Sequence, residues 1–150
     1  MEDPDVLAVL RSYPRIYLAC HVEHRTRASS PTGLTARDSS LLAHVEDPAG
    51  SSPALLARHL GVAASTLSAA LARLETAGML RLDPDPADAR RRLVRLTGPG
   101  REAVARDSVL DPGRVEALLA KLTPAERRRA VEGLRLLGDA ARRLQEEGKG

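Results

Sequence analysis

Residues 55–97 read LLARHLGVAASTLSAALARLETAGMLRLDPDPADARRRLVRLT, and this stretch decides the fold. Its apolar spacing predicts a short helix over 53–59 and a longer helix over 63–77, with Gly61 turning the chain between them. Two helices joined by so short a turn are the layout of a helix-turn-helix.

The longer helix has one apolar face and one polar face. Leu67, Leu71 and Leu74 fall at i, i+4 and i+7, so they are predicted to face the first helix and the core. In a helix-turn-helix the N-terminal part of the second helix enters the DNA major groove, where short hydroxyls and a long cation reach base edges or phosphates. A packed helical hairpin with solvated polar residues is the alternative. The candidate DNA-contacting residues are Ser65, Thr66, Ser68 and Arg73.

A hairpin is predicted directly after Gly78, where the helix ends. Leu80 and Leu82 begin one strand, DPDPADA over 83–89 forms a tight turn, and a second apolar strand returns the chain. Arginine at the tip suits the narrow minor groove, and a nearby carboxylate can hold its guanidinium extended. Arginines on a turn also form solvated edges, but directly after a helix-turn-helix they indicate a wing. The wing candidates are Asp88, Arg90, Arg91 and Arg92.

The positive charge of the chain is concentrated in the same region. The whole chain has 23 basic and 20 acidic residues, a net charge of +3. Residues 55–101 contain 8 basic and 4 acidic residues, or +4, against −2 for residues 1–54 and +1 for residues 102–150. Release of counterions at phosphates supplies much of DNA affinity, and it requires such a basic surface. Arginines spread at random are the alternative explanation.

These residues resemble the MarR family of bacterial transcription regulators. The resemblance begins at Leu34-Thr35 and continues through LARHLGV (56–62) and RLETAGML (73–80). It ends with the spacing D-x-x-D-x-R-x-x-x-V-x-L-T-x-x-G from Asp85 to Gly100. The fold that it implies is mainly α with a small β-hairpin wing, a winged helix-turn-helix with N- and C-terminal dimerisation helices.

The resemblance also implies a function. It implies a homodimeric repressor that binds a palindromic operator in double-stranded DNA and is released by a small-molecule or oxidant signal. It assigns Ser65, Thr66, Ser68 and Arg73 to the recognition helix and Arg90 to the minor groove.

This chain departs from the family in its recognition helix. Members often have serine, lysine or arginine where it has Ala63, Ala64 and Ala69, and aspartate where it has Ala72. Specificity is therefore expected to rely on backbone contacts, the wing and DNA shape. A winged-helix module that binds protein, without meaningful DNA binding, is the alternative function.

The two ends of the chain are predicted to form dimerisation helices. Asp3 before Pro4 predicts a helix start, and apolar side chains then recur at helical spacing as far as Cys20. Pro14 is predicted to kink this helix or to divide it into two. Because so small a domain leaves little to cover these apolar stripes, a partner subunit is expected to cover them. The C-terminal stripe follows a predicted capping box at 123–126 and consists of Val131, Leu134, Leu137, Ala141 and Leu144.

Further helix starts are predicted inside the chain. Thr35 is expected to cap a helix that runs to about Glu46, and Ser52 before Pro53 marks the start of the next one. Three segments follow from these patterns. They are 1–34 with the N-terminal dimerisation helix and a loop, 35–100 with the winged DNA-binding domain, and 101–150 with the C-terminal dimerisation helices.

Several candidates for a regulatory signal stay open. Tyr13, Tyr17 and Cys20 lie on the first helix and form a possible redox or effector site, but Cys20 equally fits a small buried residue with an inert thiol. A small apolar or phenolic effector is also compatible with the family. Cys20 and His24 lie four residues apart and form a weak zinc candidate that lacks the ligands of a complete site. No metal or cofactor is therefore predicted.

Composition excludes other classes of protein. No stretch approaches 18 apolar residues, the N-terminal MEDPDV is acidic, and the single cysteine has no internal partner, so a cytoplasmic protein without membrane association is expected. The sequence contains no G-x-S-x-G, glycine-rich phosphate loop, HExxH or Cys-x-x-Cys pair, so an enzyme is not expected.

Overall fold

The computed structural model describes residues 3–22 and 33–148, which form seven helices and one two-stranded antiparallel hairpin. The helices before the hairpin are α1 (Pro4–Cys20), α2 (Ala36–His44), α3 (Pro53–Leu60) and α4 (Ala64–Thr76). The strands are β1 (Leu80–Asp85) and β2 (Asp88–Leu96), and the helices after them are α5 (Gly98–Asp107), α6 (Pro112–Leu119) and α7 (Pro124–Glu147).

The chain divides into two compact units. Of the described residues, 3–22 and 108–148 form one unit, which contains α1, α6 and α7. Residues 33–107 form the other, which contains α2 to α5 and the hairpin. The two units do not test functional limits, so the domain limits at residues 34 and 100 stay predictions.

Side-chain oxygens begin the helices where the sequence predicted them. Asp3, Thr35 and Ser52 accept hydrogen bonds from first-turn amides at 2.9, 3.1 and 3.1 Å. Thr123 and Glu126 form the predicted reciprocal capping box, with distances of 3.2 and 2.9 Å. Each cap satisfies backbone donors that a helix leaves unpaired, which is why these residue types fix the starts.

Of the two outcomes predicted at Pro14, a kink or a division of α1 into two helices, the division is wrong. Pro14 lies inside one continuous helix that runs from Pro4 to Cys20. A proline removes one backbone donor, and the neighbouring turns keep the helix intact here. The predicted end of α2 near Glu46 is close to the observed end at His44.

The core of the α2–α5 unit is built almost entirely from leucine and valine. Leu67, Leu71 and Leu74 are buried, which confirms the predicted inner face of α4. They pack with residues from every other element of this unit, so burial of leucine side chains drives its folding. The buried cluster comprises Leu41, Leu42, Val45, Leu56, Ala57, Leu67, Leu71, Leu74, Leu80, Val94, Leu96 and Ala103.

The hairpin is longer and its turn is shorter than predicted. Leu80 pairs with Leu96, and the ladder continues to Asp85 opposite Asp88, with an irregularity after Pro84. The predicted turn over 83–89 is therefore wrong, because most of these residues belong to the strands. Proline is compatible with an edge strand because its missing N–H then faces away from the partner.

A short third segment extends the hairpin. Ser51 and Val94 exchange two backbone hydrogen bonds, of 2.9 and 2.8 Å, so the loop before α3 pairs with β2. This bridge attaches the hairpin to the helix-turn-helix, because Ser52 caps α3 immediately afterwards.

The α1–α6–α7 unit exposes much of its apolar surface. The amide of Asp111 donates to the carbonyl of Cys20 at 2.7 Å, which joins the end of α1 to the start of α6. Large apolar residues of α1 and α7 face solvent, among them Val9, Leu10, Leu134 and Leu137. Within the part of the chain that the structure describes, no single helix is long and apolar enough to cross a membrane. The bent pair α3 and α4 meets those criteria only when both helices are taken together.

Candidate nucleic-acid interface

The helix-turn-helix consists of α3 and α4. α3 ends at Leu60 and is capped by Gly61, whose φ of +65° lies in the left-handed region that favours glycine. The two helices are bent by 112° relative to each other, within the range of a helix-turn-helix. Because the leucines of α4 are buried, the opposite face of this helix is exposed.

The outward face of α4 carries the predicted hydroxyl residues. Ser65, Thr66 and Ser68 are all exposed in the first half of the helix. Ala63 precedes the helix and has no side-chain oxygen, so the first-turn amides receive no side-chain cap. Hydroxyls and helix N-terminal amides are groups that bind DNA bases and phosphates. The structure thus places these three residues on one accessible surface.

The wing arginines lie on β2 next to the turn. The carboxylate of Asp88 accepts hydrogen bonds from the backbone amide and the Nε of Arg90, at 3.1 and 3.2 Å, and Arg91 Nε lies 3.7 Å from it. The Arg90 side chain is nevertheless 91% exposed. Asp88 therefore restrains this guanidinium without covering it, as the sequence predicted. Arg92 is also exposed and lines the groove between the wing and the helix-turn-helix.

The base of the wing carries a second charged cluster that sequence reasoning missed. Arg81 and Arg95 are cross-strand partners, and such like-charged pairs destabilise a hairpin. Asp83 compensates for the repulsion between these two arginines, because its Oδ2 lies 2.8 Å from Arg81 Nε and 3.5 Å from Arg95 Nε. Arg95 also donates to the carbonyl of Pro48 at 2.7 Å. The available signal was the pair of opposite charges at alternate positions of β1, Arg81 and Asp83.

The residues Thr97 and Gly100 fix the junction between α4, the wing and α5. The Thr97 hydroxyl donates to the carbonyl of Gly78 at 2.5 Å and accepts from the amide of Gly100 at 3.1 Å. A Cβ on Gly100 would lie 1.9 Å from the carbonyl oxygen of Met79. The T-x-x-G spacing from Thr97 to Gly100 is therefore a backbone packing requirement.

Glu75 links α4 to the edge of the wing. Its Oε2 accepts a hydrogen bond from the amide of Leu82 at 2.9 Å. A groove of about 530 Å³ runs past this contact between α3, α4 and the wing, and Ser68 and Arg92 also line it. The angle between α4 and the hairpin is thus set by backbone and side-chain contacts together.

Arg73 differs from the other predicted contact residues because it is engaged within the protein. Its Nη2 donates to Oδ1 of Asp38 in α2 at 2.6 Å. The Asp38 side chain is only 7% exposed, whereas that of Arg73 is 60% exposed. Sequence reasoning did not single out Asp38, which lies 35 residues from its partner and in an ordinary first turn of a helix.

The candidate effector residues do not converge on one site. Tyr13 lines an apolar groove of about 610 Å³ between α1 and α7. The ring of Tyr17 stacks on His21 with centroids 5.1 Å apart, and Cys20 is buried. His24, the second zinc candidate, lies outside the described residues, and the described residues contain no cluster of three or more His, Cys, Asp or Glu side chains suited to a metal.

One exposed ion pair holds the loop before α3 against α5. Arg101 donates to both carboxylate oxygens of Asp47, at 2.7 and 2.8 Å. These hydrogen bonds, together with the charge of Arg101, lower the pKa of Asp47 below its usual range. The carboxylate is therefore favoured in the folded state.

Part of the chain is similar to a known protein family. A model of the MarR family matches residues 32–91, which include α2, the helix-turn-helix and the wing tip. The match covers 60 of the 150 residues, so the chain is similar to the MarR family over this segment. MarR-family members are DNA-binding transcription regulators and not enzymes.

A curated protein is also similar to part of the chain. The transcriptional activatory protein BadR of Rhodopseudomonas palustris is 34% identical over 96 residues, which are 61% of this chain and 55% of BadR. The chain thus matches about half the length of this curated relative.

Two solved structures have the same fold as this chain. The transcriptional repressor CouR bound to a 23-mer DNA duplex is 28% identical, with 89% of each chain covered and a TM-score of 0.50. CouR from Rhodococcus jostii RHA1 bound to p-coumaroyl-CoA is 23% identical, with 93% of this chain and 92% of that chain covered and a TM-score of 0.51. The predicted winged helix-turn-helix with N- and C-terminal helices is confirmed.

Proposed function

We propose that this protein is a sequence-specific transcriptional regulator of the MarR family that binds double-stranded DNA. The observation that carries the proposal is the combination of an exposed hydroxyl face on α4 with the exposed, Asp88-restrained Arg90 on the wing. In this arrangement Ser65, Thr66 and Ser68 contact the major groove, and the wing contacts the minor groove.

Two further observations support DNA as the partner. The stretch that contains α4 and the wing has a charge of +4, which favours phosphate binding. CouR, at 28% identity, has been solved on a 23-mer DNA duplex. We place the regulator in the cytoplasm because its proposed target is chromosomal DNA.

The proposed regulator is a homodimer on a palindromic operator. Apolar residues on α1 and α7 face solvent in the single chain, including Leu10, Leu134 and Leu137, each more than half exposed. Exposed apolar surface of this extent is typical of an interface. A two-fold dimer presents two winged units to two half-sites.

The proposed mode of action is repression that a small molecule relieves. A dimer seated on an operator excludes other proteins from it, and an effector that binds the free dimer better than the DNA-bound one releases it. CouR from Rhodococcus jostii is bound to p-coumaroyl-CoA in its solved structure, a small-molecule ligand of that protein. Cys20 is only 1% exposed, which favours a small molecule over an oxidant as the signal.

A salt titration of DNA binding tests the proposal. Fluorescence anisotropy with a duplex selected from a random library should show affinity falling steeply between about 50 and 200 mM salt. Arg90→Ala should weaken binding and reduce the slope of log K against log salt by about 1.8, since each of two arginines in a dimer contributes about 0.9. Arg114→Ala, on α6, is the matched control and should keep the slope.

The outcomes separate the two candidate functions. Absence of duplex binding at low salt would instead support a winged-helix module that binds protein. Normal binding by Arg90→Ala would remove the wing from the DNA interface while leaving the helix in place.

A further inference from the structure

The ion pair between Asp38 and Arg73 connects the recognition helix α4 to α2. The Nη2–Oδ1 distance of 2.6 Å is that of a strong, charge-assisted hydrogen bond. The carboxylate is almost completely buried, so removal of its partner leaves an uncompensated charge, which is strongly unfavourable. This pair therefore differs from the exposed ion pairs on the surface of the same unit.

Asp38 is held rigidly in its own helix. Its backbone amide donates to the Thr35 hydroxyl at 3.1 Å, and its position in the first turn of α2 places the carboxylate at the positive end of the helix dipole. The next residue, Ser39, donates to Oδ2 of Asp107 at the end of α5, at 2.7 Å. The first turn of α2 is thus anchored on both sides and gives Arg73 a fixed partner.

Arg73 lies away from the part of α4 that is suited to base contacts. It follows Ser65 by eight residues, or about 12 Å along the helix axis. The N-terminal part of a recognition helix is the part that contacts base edges. Arg73 lies in the second half of the helix, and its guanidinium is paired with a buried carboxylate. It is therefore suited to hold the helix in place.

We propose that Arg73 and Asp38 are positioning residues for DNA recognition, and that Arg73 is not a phosphate contact. The pair fixes the direction of α4 relative to α2, so that Ser65, Thr66 and Ser68 enter the groove at the correct angle. The inference rests on the DNA-binding function proposed above. It replaces the contact role that the sequence assigned to Arg73.

Asp38→Asn tests this inference most sharply. Asparagine keeps the shape of the aspartate side chain and its Oδ1 acceptor, so the variant is expected to fold. The substitution removes only the negative charge of the ion pair. A positioning role predicts that affinity for the selected operator falls about tenfold, although a negative charge has been removed from a DNA-binding protein. If Arg73 were a phosphate contact that Asp38 neutralises, the same substitution would raise the affinity.

Arg73→Gln and the double variant complete the test. Arg73→Gln should lower operator affinity while the salt slope keeps its wild-type value, whereas loss of a phosphate contact in each subunit would reduce the slope by about 1.8. The double variant should bind no more weakly than the weaker single variant, because both changes remove one interaction. Affinity for an unrelated duplex should change little, since positioning affects base recognition.

A second ion pair in the same unit provides the control for the loss of a negative charge. Asp47→Asn removes one negative charge and the Asp47–Arg101 ion pair, and it should leave operator affinity unchanged. All titrations are made at a temperature where circular dichroism shows each variant folded. Three results would overturn this inference but not the proposed function. They are equal or tighter operator binding by Asp38→Asn, a reduced salt slope in Arg73→Gln, and lowered thermal stability without lowered operator affinity. No duplex binding by the unmodified chain would overturn the proposed function and this inference with it.

Discussion

Replacement of Gly100 by alanine should destabilise the junction between the wing and α5. A Cβ at this position would lie 1.9 Å from the carbonyl oxygen and 2.9 Å from the carbonyl carbon of Met79. Real Cβ contacts stay at 3.0 Å or more, so the two backbone segments must separate by at least about 1.1 Å. Both groups belong to the backbone, and no side chain can rotate to relieve the contact.

The loss of stability follows from the hydrogen bonds that this backbone separation disrupts. The carbonyl of Met79 also accepts the amide of Thr97 at 3.2 Å, and Thr97 in turn binds Gly78 and Gly100. Overpacking costs about 1–3 kcal/mol and a strained hydrogen bond about 1 kcal/mol, so the free energy of unfolding should fall by about 2–4 kcal/mol. The unfolding temperature should fall by about 5–15 °C.

Thermal unfolding by circular dichroism measures this difference. Gly98→Ala is the matched control, because it lies in the first turn of the same helix and its Cβ would have no neighbour within 4 Å. The control should be as stable as the unmodified protein or slightly more stable, since alanine favours helix. If Gly100→Ala and Gly98→Ala unfold at the same temperature, the packing argument is refuted.

Three further substitutions or modifications test single contacts. Thr97→Val removes the hydroxyl bound to Gly78 and should cost about 1–2 kcal/mol in urea unfolding, and an unchanged midpoint and slope would contradict its anchoring role. Because Arg101 lowers the pKa of Asp47, the ionised carboxylate stabilises the folded state above its ordinary pKa, and this contribution is lost as pH falls through the lowered pKa. The difference in unfolding temperature between wild type and Asp47→Asn should therefore shrink from about pH 6 to about pH 3, and a constant difference would contradict the ion pair. Cys20 is buried, so a thiol reagent should label it only on unfolding, and rapid labelling of the folded protein would contradict its burial.

Local sequence signals predicted most of the helices. Caps such as Ser52 and Thr123 act on amides two or three residues away, and the leucines of α4 repeat within one helix. Interactions of this kind depend on near neighbours along the chain, so the sequence displays them directly. The same local patterns predicted the position of the wing in the sequence, although its turn is shorter than predicted.

Long-range contacts could not be predicted in the same way. Nothing in the first turn of α2 indicates that Asp38 is buried against a residue 35 positions later. The compensation of two facing arginines by Asp83 depends on the register of the hairpin, and the sequence had suggested a longer turn there. Arg73 shows the consequence, because an arginine on a polar face can bind a carboxylate of its own protein as readily as a phosphate.

Selection of bound fragments from a random duplex library tests the central claim most directly. The full chain should enrich one palindromic motif with half-sites about one helical turn, roughly 10 base pairs, apart. Such a motif is the expected result for a two-fold dimer that presents α4 and the wing to each half-site. A library that emerges without enrichment over its input would contradict the claim that this protein recognises DNA sequence.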